Sequence, residues 1–439
     1  MKLFIQQHRR KLLRALPLLA AILALYFLYA KFLSSTRIAF VNFPEFRLST
    51  FSKANDNRFV RTSILSEDQL GEAGKYSAVF IFGRGFHLNE SQQAKLLRAT
   101  RKGIPVYVDG ATNPAMDFTN MKGDTLETVR AYLDYGGLPN NKSLLNYVRK
   151  VLDGKSFFTG EIAPPEKIDR DVLFHTDETK TFKSPEAFEA YGKQNGFIKD
   201  GAPVVALLTS VPGPFNANRD HLNSLITALQ NKGCNVYPMA AFTSRAKWLK
   251  QLKPDVVVAM PHGRFSLGAA DSTTAWLKEN EIPVLAPISV FEPYEKWNTD
   301  PRGMAGGILN MSVTLPEIDG VVAPYAIVAQ YRDENGYLAF RAIPDRLEKF
   351  AGMVEKRIAL KRKANSQKKI AIYYFKGPGK NALVAANMEV VPSLYNLLLR
   401  LKQAGYQVDG LPASAKELEA LIQRNGAVLG PYAEGSIRT

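Results

Sequence analysis

Histidine, arginine, lysine and asparagine side chains gather in three short segments, each directly after an apolar run that reads as a strand. The first, residues 211–221 (VPGPFNANRDH), sets Asn218, Arg219 and His221 at the opening of a helix. Asn218 suits an N-cap, and the free N–H groups of such a helix start favour an anion such as a phosphate or a propionate. A plain turn closed by a capping residue carries the same signature. In the second, residues 260–268 (MPHGRFSLG), His262 and Arg264 follow the strand that carries Val256-Val257-Val258. Its imidazole suits a metal or an axial haem position and its guanidinium a carboxylate, but a histidine merely hydrogen-bonded in a strand-end turn reads identically. The third, residues 375–381 (FKGPGKN), is glycine-rich and basic through Lys376 and Lys380. A phosphate or propionate cradle and an ordinary turn both fit it. It is not a P-loop, because Lys380 precedes Asn381 and the pattern G-x-x-x-x-G-K-[ST] is absent, so no ATP site is expected in this chain.

The remaining histidines, His8, His87 and His175, show neither i, i+4 pairing nor an H-E-x-x-H pattern, which leaves no visible zinc-hydrolase site. Cys234 is the only cysteine and excludes a disulfide framework and any cysteine-rich metal centre. No Ser-His-Asp order, paired glycosidase carboxylates or complete dinucleotide fingerprint is present.

In open parallel sheets, ligands meet the loops at the carboxyl ends of strands, so these segments gain meaning from the elements that hold them. Residues 37–43 (RIAFVNF) and 77–82 (SAVFIF) read as buried strands, 90–102 as a helix, 104–108 as a strand and 125–133 as a helix. This alternation implies a parallel sheet with helices on its faces. The stretch 136–200 is less regular and reads as a helical connector, with helices at 142–152 and 185–195, the latter capped by Ser184 ahead of Pro185. The cleanest βα alternation runs over 201–343, with strands at 204–209, 235–239, 255–260 and 283–287. A linking helix follows over 344–368, and 369–439 reads as the start of a further α/β domain, with Ser414-x-x-Glu417 as a capping box. The expected fold is α/β: an N-terminal transmembrane helix over 1–34, an α/β domain over 35–135, then the connector and the later domains, giving two or three doubly wound, flavodoxin-like units.

With 439 residues, 46% hydrophobic and 22% charged, the chain is long enough for several cores and ordinary in composition. The net charge of +16 is not concentrated enough to imply a nucleic-acid partner. Its basic residues cluster at Arg9, Arg10, Lys11 and Arg14 and again from Lys356 to Lys363. The first cluster precedes an apolar run over 12–33, near the ~20 residues a spanning helix needs. By the positive-inside rule this predicts a single-pass anchor with a cytoplasmic N-terminus and an extracytoplasmic remainder. A cleaved signal peptide is the rival, and Leu28-Tyr29-Ala30 matches its cleavage pattern poorly.

The three loops occur in an order that resembles the large, porphyrin-binding subunit of the cobaltochelatase and magnesium-chelatase (CobN-like) family, over its N-terminal portion. The blocks are 212–237 (PGPFNANRDHLNSLITALQNKGCNVY), 265–268, 283–287, 315–324 (LPEIDGVVAP) and 369–412, with 174–191 as a further one. Block 369–412, with its glycine-rich loop, Ser393-Leu394-Tyr395 and Gly405-Tyr406, is the most specific. The resemblance implies a tetrapyrrole (porphyrin, haem or corrin) and a divalent metal (cobalt, magnesium or iron) as substrates, with separate ATPase subunits as partners. It also implies a catalytic His-Gly-Thr-Leu-Glu type motif downstream, which is not met before Thr439, so this chain by itself is expected to bind rather than to catalyse. The family's Pro-Pro-Gly-Lys-Gly-Asn appears here as Lys376-Gly377-Pro378-Gly379-Lys380-Asn381. Combined with the anchor, the resemblance extends to membrane-bound relatives in haem uptake, where metal removal replaces insertion and haem-uptake proteins are the partners. An exported, non-catalytic tetrapyrrole- or ligand-binding protein is the alternative from another class.

Overall fold

The computed structural model describes residues 17–169, 171–265, 270–372 and 388–425. The chain forms two compact units, residues 1–354 and 355–439.

The first unit holds two sheets. In the first sheet, strands β1 (Thr36–Val41), β2 (Val60–Ile64), β3 (Ala78–Phe82) and β4 (Val106–Asp109) lie in the order β2-β1-β3-β4, all parallel. Side chains alternate across the sheet with a period of two. Ile38, Phe40, Ala78 and Phe80 therefore enter one core, with the helices Gly123–Tyr135 and Gly137–Tyr147. Ala39, Val41, Val79 and Ile81 enter the other, with Leu96 and Ala99 of the helix Glu90–Arg101. Both faces are covered, so the central strands are continuously apolar over Ile38–Val41 and Ala78–Phe82, as a parallel sheet requires.

The second sheet is larger, in the order β12-β11-β10-β9-β7-β8-β5-β6. Its parallel centre comprises β7 (Val204–Leu208), β8 (Asn235–Ala240), β9 (Val256–Ala259), β10 (Val284–Pro293) and β11 (Val321–Arg332). The antiparallel β12 (Leu338–Ala342) closes one edge. The stretch expected to be a helical connector also supplies β5 (Val172–Phe174), antiparallel to β8, and β6 (Thr181–Phe182), antiparallel to β5, which extend the other edge. These strands are too short for the periodicity of their sequence to reveal them. From β7 the chain steps outward to β8 and then returns to β9 on the opposite side of β7. That reversal makes the carboxyl ends of β7 and β9 a topological switch point.

The expected membrane-spanning helix is corrected. Among the described residues no helix is long and apolar enough to cross a membrane. The apolar run carries exposed Leu18, Ile22, Leu25 and Phe27. Its described helical part, residues 17–33, ends in a wide turn over Tyr29–Leu33. The folded unit also holds its end. Lys155 Nζ donates to the Ala30 carbonyl at 2.6 Å and to Ser34 Oγ at 2.9 Å, and Arg149 Nη1 donates to the Ser34 carbonyl at 3.0 Å. Residues 1–16, with the basic cluster, lie outside the described residues.

In the second unit, the helices Val390–Gln403 and Ala415–Asn425 pack together. Ser414 Oγ accepts from Glu417 N at 3.2 Å, while the Glu417 carboxylate takes Ala413 N at 3.1 Å, so the expected capping pair reaches back one residue further than a capping box. Residues 369–372 adopt no regular element, and the remainder of the strand expected there lies outside the described residues.

Candidate functional site

The loop leaving β7 is held from several directions. Asn218 Oδ1 accepts from Asp220 N at 3.4 Å and from Lys53 Nζ at 3.2 Å, and Lys53 also pairs with Glu178 at 2.6 Å. Lys53 belongs to the helix Glu45–Ala54 of the first layer, so this lysine ties the two layers together. Asn218 is not the N-cap its residue type suggested: in the helix Asp220–Asn231, Arg219 occupies that position without a side-chain cap, and Asn218 closes a turn one residue ahead of it.

Arg219 is 2% exposed, with its guanidinium 5.1 Å from the Phe174 ring centre and donating to the His175 carbonyl. Burial lowers its pKa, opposed by Glu178 and Asp177. Its Nε finds no partner. The position read from sequence as a cationic contact for a ligand is therefore interior, closing off the end of β5.

His221 is fully buried, with Nδ1 3.0 Å from the Asn218 carbonyl. A carbonyl only accepts, so Nδ1 carries the proton and Nε2 holds a lone pair, sealed from solvent without a partner. Burial pushes the His221 pKa down to about 4, against the carbonyls of Pro212 and Asn218 and the Asp220 carboxylate, so the ring is neutral at pH 7.

The loop leaving β9 is pinned just beyond its histidine. Gly263, at φ +95°, donates to the Met311 carbonyl at 2.6 Å. Arg264 meets Asp319 with both carboxylate oxygens engaged, Nε to Oδ2 being 2.9 Å, and Phe265 N donates to the same Oδ2 at 2.8 Å. Arg264 does pair with a carboxylate, as its chemistry suggested, but the carboxylate is the chain's own Asp319, only 3% exposed.

His262 differs from His221. It is half-buried, its Nδ1 is sealed with no partner, and burial lowers its pKa.

A row of rings connects the two loops. His262 lies 5.8 Å from Phe291, Phe291 lies 5.1 Å from Phe340, and Phe340 lies 5.8 Å from His221, centre to centre. Phe46, from the helix Glu45–Ala54, flanks the row at 5.2 Å from Phe340 and 6.4 Å from Phe291. Phe340 is buried, whereas Phe46 and Phe291 are half-exposed. The structure thus brings two of the three loops together. Lys376 and Lys380 of the third lie outside the described residues.

Sequence reading missed Phe46, Phe291, Phe340 and Asp319. The strand expected to stop at residue 287 continues to Pro293, and that extension carries Phe291 into place. Among the described residues, no group of three or more His, Cys, Asp or Glu is arranged to hold a metal ion.

Residues 130–433, more than half of the chain, match the family model described as CobN/Magnesium Chelatase. The chain belongs to this family. The chelatase-family match covers all of the second sheet, including both histidine loops. A magnesium-chelatase subunit of Chlorobaculum parvum is 26% identical over 353 residues, spanning 75% of this chain and 26% of that protein. The aerobic cobaltochelatase CobN subunit of Pseudomonas aeruginosa is 25% identical over 332 residues, spanning 72% of this chain and 26% of that protein. The chain therefore spans about a quarter of the length of these relatives. The solved catalytic subunit of cobaltochelatase from Mycobacterium tuberculosis superposes over 89% of this chain and 33% of its own, with a TM-score of 0.63 at 19% identity, which is a likeness of fold.

Proposed function

We propose that this chain forms part of the tetrapyrrole-holding large subunit of a metal chelatase, with a tetrapyrrole and a divalent metal as its substrates. The observation that carries the reading is the row His262, Phe291, Phe340, His221 at the switch point of the second sheet. A flat, largely apolar macrocycle gains ~25 cal/mol for each Å² of apolar surface it removes from water. Half-exposed Phe46 and Phe291 offer aromatic faces and edges on which such a ring can rest. The half-buried His262 imidazole beside Phe291 adds a polar contact at that edge.

Metal insertion is the reaction class we infer, supported by the names of the relatives, a magnesium chelatase and a cobaltochelatase. Both are named as subunits, and the ATPase subunits implied by the resemblance are the partners we infer. Lys376 and Lys380 stay in this reading, by sequence, as cationic contacts for ring carboxylates.

Titration of the full chain with metal-free protoporphyrin, followed by porphyrin fluorescence polarisation, tests the reading. Saturable binding is expected, together with an affinity loss of ~10-fold in Phe291→Ala, equivalent to ~1.4 kcal/mol. Absence of saturation in the wild-type chain overturns it.

A further inference from the structure

We infer that His262 is an axial ligand, through Nε2, for the metal of a metallo-tetrapyrrole resting against Phe291 and Phe46. This rests on the tetrapyrrole reading above and adds a coordinate bond to it.

A ligating histidine must be reachable and held in place. The ring is half-buried, with Nδ1 as its sealed edge, which leaves Nε2 as the nitrogen available from outside. Rigidity comes from the next three residues: Gly263 on the Met311 carbonyl, Arg264 and Phe265 both on Asp319. Phe291, 5.8 Å away and tilted by 35°, supplies the adjoining apolar wall, and Phe46 continues it.

His221 fails the same test. Its Nδ1 is correctly tied to a carbonyl, but its Nε2 is enclosed and the residue has no exposure.

Coordination through Nε2 displaces a water from the metal and leaves the ring proton on Nδ1, where no acceptor lies. Metal-binding histidines ordinarily donate that proton to a carboxylate or carbonyl, which raises their basicity. Without such a partner His262 is a weak, exchangeable ligand, suited to a metal in transit rather than to a resident one.

The test compares zinc protoporphyrin with metal-free protoporphyrin on the full chain. Wild-type protein is expected to bind both and to red-shift the Soret band of the zinc complex as a nitrogen ligand adds. His262→Gln should lose that shift and cost the zinc complex ~10-fold more affinity than it costs metal-free porphyrin. In His262→Gly, added imidazole should restore the shift, which a folding defect would not allow. A shift that survives in His262→Gln, or that imidazole fails to restore in His262→Gly, overturns the inference and leaves the tetrapyrrole reading standing. Failure of the wild type to bind either porphyrin overturns both.

Discussion

The loop after β7 and the loop after β9 each end a central parallel strand, and each carries a histidine at one end of the same row of rings, His221 beside Phe340 and His262 beside Phe291, yet they are built in opposite ways. His221 has the backbone carbonyl that fixes its tautomer but no opening. His262 has the opening but no second partner. The arginines differ likewise: Arg219 is interior and serves a strand end, whereas Arg264 clamps a half-exposed loop to a buried carboxylate. The contrast teaches that a switch point divides labour. One loop is sunk to hold the sheet and its covering layer together, which allows the other to present a side chain outward from a fixed base.

The largest effect that would sharpen this contrast is the pH dependence of stability set by His221. Unfolded, its imidazole takes a proton near pH 6.5, while in the folded chain burial holds it at about 4. The unfolded state therefore binds more protons as pH falls through this window, and the fold loses roughly 3 kcal/mol between pH 7 and pH 4 from this group. Urea unfolding of wild type and His221→Gln at pH 7 and at pH 4.5 reads it out. The acid loss should be smaller in the variant, and equal losses would place His221 outside the interior. His262→Gln should trim the acid loss less than His221→Gln does, because burial lowers the pKa of that ring too but only half encloses it.

Next comes the clamp. Arg264→Met removes two bonds to Asp319 and leaves a buried carboxylate that keeps the Phe265 N–H from this loop. A loss of about 2 kcal/mol is expected, discounted for the partial exposure of the arginine. Urea unfolding at pH 7 measures it, and a loss below ~0.5 kcal/mol would show that the loop does not depend on this pair.

The ring face follows, with Phe291→Ala costing the porphyrin ~10-fold, or ~1.4 kcal/mol. Phe242, exposed at the end of the loop after β8, provides the comparison. If Phe242→Ala weakens porphyrin to the same extent, the aromatic row is not the contact.

Smallest is Lys53→Met, which cuts the tie to Glu178, Asn218 and Asp220 between the layers. Because Lys53 is partly exposed, an effect of ~0.5–1 kcal/mol is expected. Its loss should speed hydrogen exchange at the start of the helix Asp220–Asn231 and leave the loop after β9 unchanged. Equal acceleration at both loops would mean that they open as one.

Much of this architecture is legible in order along the chain. Runs such as VVALL at 204–208 and VVVA at 256–259 are apolar on both faces, and a helix pattern lies between successive strands, so a parallel sheet follows. The loops after strands are legible for the same reason, since strand endings are local, whereas the cap expected of Asn218 falls to Arg219, one residue on. What failed was decided at a distance. The apolar run at 12–33 has the composition of a membrane span, but among the described residues no helix is long and apolar enough to cross one, and Lys155 and Arg149 from far along the chain hold its end at Ala30 and Ser34. Arg219 and Arg264 looked like free cations, because no local signal tells of a strand-end carbonyl at His175 or a carboxylate at Asp319.

The sequence by itself determined the α/β class, the order of the strands along the chain and the residue types at the switch point, because periodicity, capping and composition act over a few residues. Only the tertiary structure decided which histidine is sealed and which is open, that Phe46, Phe291 and Phe340 from three separate segments meet between them, and that two arginines serve the fold. Burial and pairing depend on groups tens to hundreds of residues away. Desolvation, which keeps both imidazoles neutral, exists only once those groups have closed around them.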